Sequence, residues 1–193
     1  MTGTTMIDLG PQARIVAELA EGVTDGQLAA ATPCPEYAVR HLLGHVAGLS
    51  AAFRDAARKD LGATTGHRPG AELPVLGPEW RQELPRALDA LAEAWRDPAA
   101  WDGMTRAGGI DLPGGVAAAV AADELVIHGW DLARATGQEY APDPAALEAA
   151  YGFLRMAAEG DRGPFGPLVP VPEGARLLDR AVGLSGRDPG WTA

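Results

Sequence analysis

Glu124 and His128 stand four residues apart in the stretch AADELVIHGWDLARATG, which runs from Ala121 to Gly137. On a helix that spacing puts a carboxylate and an imidazole on one face, one above the other. Two such groups can approach a single metal ion. Leu125, Val126, Ile127 and Leu132 flank them, which sets the segment near a core, where a charge needs a partner. The plainer reading of the same spacing is a polar pair on a solvated helix face.

A second imidazole has a comparable setting. His45, in HLLGHVAG, follows Leu42 and Leu43 and precedes Val46. Alone beside an apolar stripe it reads as a packed core histidine. If its helix faces that of Glu124 and His128, two nitrogen donors and one oxygen donor converge. Three such donors with open positions suit catalytic zinc, nickel or iron. His41, one turn before His45, is the competitor, because HxxxH could itself hold a metal; its place nearer the helix start turns it toward solvent. His67, in TTGHRPG, is expected on a surface loop. Ala117 and Ala121 continue the face of Glu124 and His128 toward the N-terminus, and their small side chains would leave room for a ligand.

Asp131 lies three residues beyond His128 and three before Arg134. It could accept the free N–H of a ligating histidine, or simply pair with Arg134. Trp130 is core or cleft wall. Asp131, Trp130 and Arg134 are therefore the candidates for contact with a bound cofactor. Arg106 could meet an anionic substrate. Cys34, just before a helix start, could be a nucleophile of lowered pKa, but in TPCP it reads as a small packed residue.

The elements that must position these groups are helical. Apolar residues recur at three and four along Gln12–Gly22, Glu36–Lys59, Pro78–Asp97 and the segment of Glu124. Thr24-Asp25-Gly26 could start one extra turn. Pro35 suits the first turn of the second helix, and Pro85 should lie near the start of the third or kink it. Asp111 and Pro113 read as the start of the fourth helix and Gly137 as its stop. A fifth follows, capped by Asp143 with Pro144 in first position, and a short one is expected around Ala175–Leu184. The stretches Leu61–Pro78, Asp97–Leu112 and Gly160–Gly174 are rich in Gly and Pro, hold few alternating β-runs and read as loops. The expected fold is all-α: a four-helix bundle with long loops and a short C-terminal helix.

Composition narrows the function classes. The 193 residues carry a formal net charge of −10, with 47% hydrophobic and 22% charged residues, as expected of one globular domain spanning 1–193. With no basic stripe, the charge argues against nucleic acid as a partner, and an acidic surface opposes docking on anionic lipid. The N-terminal MTGTTMIDLG has no signal-peptide pattern, the longest apolar run is too short to span a bilayer, and a single cysteine excludes an internal disulfide. The expected location is the cytoplasm. Lys59 is the only lysine among 16 basic residues, a bias typical of GC-rich genomes.

Three stretches together carry a resemblance: TPCPEYAVRHLLGHVAG, ADELVIHGWDLARATGQ and FGPLVPVPEGARLLDRAVGLSGRDP. In order, and over nearly the whole chain, they resemble actinobacterial metal-binding proteins of the DinB-like superfamily, near the N-terminal domain of mycothiol-dependent maleylpyruvate isomerase. The resemblance implies a four-helix bundle with one divalent metal, usually zinc, held by His45, Glu124 and His128. It also implies an open metal position for water or a low-molecular-weight thiol, mycothiol, acting on a small electrophilic substrate by S-transfer or isomerisation. Tyr37 stands where the family more often has Trp, and His41 where it has an acidic residue. The additional C-terminal domain of the isomerases is not expected here. The alternative is a protein of the same fold that holds metal or a small ligand without turnover. A monomer or homodimer is expected.

Overall fold

The computed structural model describes residues 6–67, 72–160 and 165–193. In chain order these form α1 (Gly10–Glu21), a 3-10 turn (Asp25–Gln27), α2 (Val39–Arg58), α3 (Ala63–Gly66), α4 (Trp80–Ala94), α5 (Pro98–Trp101), β1 (Met104–Ala107), β2 (Ile110–Pro113), α6 (Gly114–Thr136), α7 (Pro144–Glu159) and α8 (Leu177–Leu184). Residues 68–71 and 161–164, within two of the expected loops, lie outside this description.

The all-α bundle is observed. α2 packs on α4 and α6, and α1 packs on the same two helices. Periodicity explains why. Leu42, Val46, Leu49 and Phe53 of α2 and Leu84, Leu88 and Leu91 of α4 are all buried, each removed from water at a gain of roughly 1.5–3 kcal/mol. Lys59, at the left-handed end of α2 (φ 59°), donates to the carbonyls of Ala100 and Asp102 and ties that end to α5. Among the described residues no helix is long and apolar enough to cross a membrane.

α6 differs from its neighbours because it is buried nearly all round, which a helix without a polar face must be. Ala117, Ala118, Ala121, Ala122, Leu125 and Leu132 enter the bundle core. Val126, Ile127 and Trp130 enter a second apolar cluster with Ala146, Ala150 and Leu154 of α7 and Ala181 and Val182 of α8. α7 starts as expected, Asp143 Oδ1 accepting the Ala146 N–H at 2.9 Å with Pro144 next.

Four expectations change. Pro35 is not in the first turn of α2, which begins at Val39; the preceding chain folds back so that Thr32 Oγ1 donates to the carbonyls of Cys34 and Tyr37. Asp111 does not open α6. It lies in β2, opposite Arg106 of β1, in an antiparallel hairpin within the stretch read as loop. Gly108 and Gly109 supply the turn at φ 59° and 76°, the paired positive angles that a two-residue hairpin needs. Lastly, Ala117 and Ala121 frame no open space: both are fully buried in the core, where small side chains let neighbouring helices approach.

Candidate metal centre

Because α2 and α6 pack together, His45 comes to face Glu124 and His128. The Oε2 atom of Glu124 lies 3.2 Å from Nε2 of His45 and 3.1 Å from Nε2 of His128. The two imidazole rings meet edge to face, centroids 4.7 Å apart. One ligand atom from each of the three residues lies within 4.8 Å of the others. The side chains keep 16%, 27% and 10% of their surface for His45, Glu124 and His128, so the cluster is reachable from solvent.

The other ring nitrogen of His128 is also engaged. Nδ1 lies 2.9 Å from Oδ2 of Asp131, a carboxylate with no exposed surface. Arg187, from the segment after α8, grips the same carboxylate: Nε is 2.9 Å from Oδ1 and Nη2 is 2.9 Å from Oδ2. Asp131 therefore does not pair with Arg134, which donates to the carbonyl of Pro189.

These contacts set the protonation states. Burial would raise the Glu124 carboxyl, but hydrogen bonds from His128 and His45 outweigh it and hold the group well below the usual carboxylate range. Burial would lower His128, yet its bonds to Asp131 and Glu124 push it up to about 9. Asp131 is likewise raised by burial and more strongly lowered by Arg187 and His128. Without metal, His128 is thus an imidazolium between two carboxylates.

The remaining candidates separate cleanly. Tyr37 sets its ring 5.5 Å from that of His45. His41 is drawn to the start of α2, where Nδ1 accepts the Ala38 N–H at 3.2 Å. His67 is exposed at the end of α3. Arg106 pairs with Asp111 on the exposed hairpin. Trp130 is buried in the α7–α8 cluster, with the Arg134 guanidinium 5.7 Å from its ring centre. Burial pushes the Cys34 thiol up to about 11, against the pull of Arg187 and aided by the charges of Asp131 and Glu124. Cys34 is a packed thiol, not an activated one.

Arg187 is the residue that sequence reasoning missed. The usable signal was Asp131 itself: a carboxylate in an apolar helix needs a cation. Nothing local says which of fifteen arginines supplies it.

A family model described as the mycothiol maleylpyruvate isomerase N-terminal domain matches residues 9–133. Two uncharacterized proteins of Mycobacterium tuberculosis, from strains CDC 1551 / Oshkosh and ATCC 25618 / H37Rv, are each 26% identical, over 89% of this chain and 91% of theirs. The crystal structure of the mycothiol-dependent maleylpyruvate isomerase aligns with a TM-score of 0.48 at 20% identity, over 74% of this chain. This chain spans 65% of the length of that structure.

Proposed function

The chain belongs to the mycothiol maleylpyruvate isomerase N-terminal domain family, and from that membership we propose that it is a divalent-metal-dependent enzyme. In this reading it uses a low-molecular-weight thiol, mycothiol, for S-transfer or isomerisation on a small electrophilic substrate. The observation that carries the reading is the convergence of His45, Glu124 and His128 across the α2–α6 interface.

The donor set fits a cation. Two imidazole nitrogens and one carboxylate oxygen suit zinc, with nickel and iron also compatible. The N–O separations of 3.1 and 3.2 Å approach the roughly 3.3 Å between neighbouring ligand atoms around a tetrahedral zinc with bonds of about 2.0–2.1 Å. A divalent cation, when bound, lowers the pKa of a thiol or water and polarises a carbonyl.

The protein's own groups prepare that site. Glu124 stays ionised and supplies one negative charge, so a divalent ion there keeps net positive charge toward an anionic thiolate. Asp131 accepts from Nδ1 of His128 and so presents Nε2 to Glu124 and His45. Cys34, held as a neutral thiol, leaves the role of nucleophile to an external thiol. α6 contributes to both apolar clusters, which supports reading residues 1–193 as one domain.

The packed Ala117 and Ala121 favour a second reading, a metal-holding protein without turnover. Elemental analysis after zinc reconstitution, followed by mycothiol-dependent consumption of electrophiles, tests both. Near one zinc per chain, lost in His128→Ala, is expected. Thiol consumption that requires the metal selects the enzyme. A wild-type protein without bound metal sinks both readings.

A further inference from the structure

α8 ends in a turn that aims one side chain. The N–H of Gly186 bonds to the carbonyl of Gly183 at 3.1 Å, and the N–H of Arg187 to that of Val182 at 3.1 Å. Gly186 sits at φ 85°. This pair of bonds, with a left-handed residue after the helix, is a Schellman stop. A Cβ at Gly186 would also lie 3.0 Å from the backbone of Gly166. The turn reverses the chain and sends the Arg187 side chain inward, where Asp131 waits on α6. A further bond from Nη1 to the carbonyl of Ser185, at 3.2 Å, fixes the guanidinium.

We propose that Arg187 is a positioning residue for the metal centre: held by the stop of α8, it clamps Asp131, and Asp131 in turn fixes the His128 ring so that Nε2 faces Glu124 and His45. The proposal rests on the metal-binding reading above and deepens it. It places part of the centre in a C-terminal segment beyond the 9–133 region of the family match.

Asp131 has two oxygens and no access to water. Oδ2 serves both His128 and Arg187, and Oδ1 serves Arg187 alone. A two-pronged guanidinium leaves a carboxylate one orientation, because both N–H bonds must be met at once. Without it Asp131 can rotate about its terminal torsion, and the bond to Nδ1 no longer dictates the ring plane. An imidazole that turns freely is a weaker ligand, and loss of such outer partners costs about 10- to 100-fold in metal affinity.

The test uses full-length protein with Arg187→Met and Arg187→Lys, checked for fold by circular dichroism. Zinc affinity is read by competition with a chromogenic chelator, and the visible absorption of the cobalt-loaded protein reports ligand arrangement. Expected are a loss of about 10-fold in zinc affinity for Arg187→Met, altered cobalt bands, and partial recovery of both in Arg187→Lys. A folded Arg187→Met with wild-type affinity and wild-type bands overturns the proposal. If Arg187→Met does not fold, Arg187→Lys decides: wild-type affinity and bands overturn it, and a several-fold loss with altered bands supports it. Wild-type protein that takes up neither zinc nor cobalt overturns the metal-centre reading instead, so the two failures are told apart.

Discussion

Nδ1 of His128 lies 2.9 Å from Oδ2 of Asp131, one turn further along the same helix. The contact leaves only Nε2 of that ring pointing across the α2–α6 interface, 3.1 Å from Glu124. A carboxylate–imidazole–carboxylate chain results, anchored at its far end by Arg187. Protons hold it together when no cation is bound, and that has measurable consequences.

The metal-free protein should lose stability as pH rises through the alkaline range. His128 is raised from its ordinary 6.5 to about 9, so its contribution is fully present below about pH 6.5 and disappears as pH passes about 9. The stabilisation at stake is about 3 kcal/mol. Asp131 and Glu124 are lowered, so their contribution is present above their ordinary values of 3.8 and 4.5 and lost on acidification. Urea midpoints of chelator-treated protein should therefore peak between these limits and decline above about pH 7. An unchanged midpoint up to about pH 10 would contradict the imidazolium assignment.

Under the proposed metal-binding function, zinc and a proton would compete for Nε2 of His128. Affinity should rise by up to about tenfold per pH unit between about pH 7 and 9 and then flatten, with proton release on binding. Calorimetry in buffers of different ionisation enthalpy counts the released protons. No release at about pH 7 is the contrary outcome.

Cys34 should be slow toward alkylating agents. Raising its pKa from 9.0 to about 11 cuts the thiolate fraction near neutral pH by about 100-fold. Iodoacetamide labelling followed by mass spectrometry should accelerate only above about pH 10 in folded protein, and at ordinary thiol rates in urea.

Two glycine substitutions should act oppositely. A Cβ on Gly129 would stand 2.9 Å from Oη of Tyr140, a hydroxyl fixed by donating to the carbonyl of Val126 and accepting from Gln12. Gly129→Ala should cost about 1–3 kcal/mol through overpacking. Gly152, exposed in α7 with open space around its Cβ position, should gain up to about 1 kcal/mol as Ala. Thermal unfolding of both variants against wild type gives the comparison.

Much of the helical framework was legible because periodicity is a property of consecutive residues. The stripes of α2 and α4 are read directly from Leu42, Val46, Leu49 and Leu84, Leu88, Leu91. The hairpin was missed although Gly108–Gly109 is a strong turn signal, because four-residue strands are too short for alternation to stand out.

At the centre, the spacing of Glu124 and His128 was enough to place a carboxylate and an imidazole on one face, since a helix brings residues four apart together whatever surrounds it. Which histidine completes the cluster, and which arginine balances Asp131, depends on contacts across 79 and 56 residues of chain. Those were decided by how α2 packs against α6 and by the turn after α8. The same packing filled the space beside Ala117 and Ala121. Local sequence sets which face a group occupies, and only the packing of distant segments sets what it meets there.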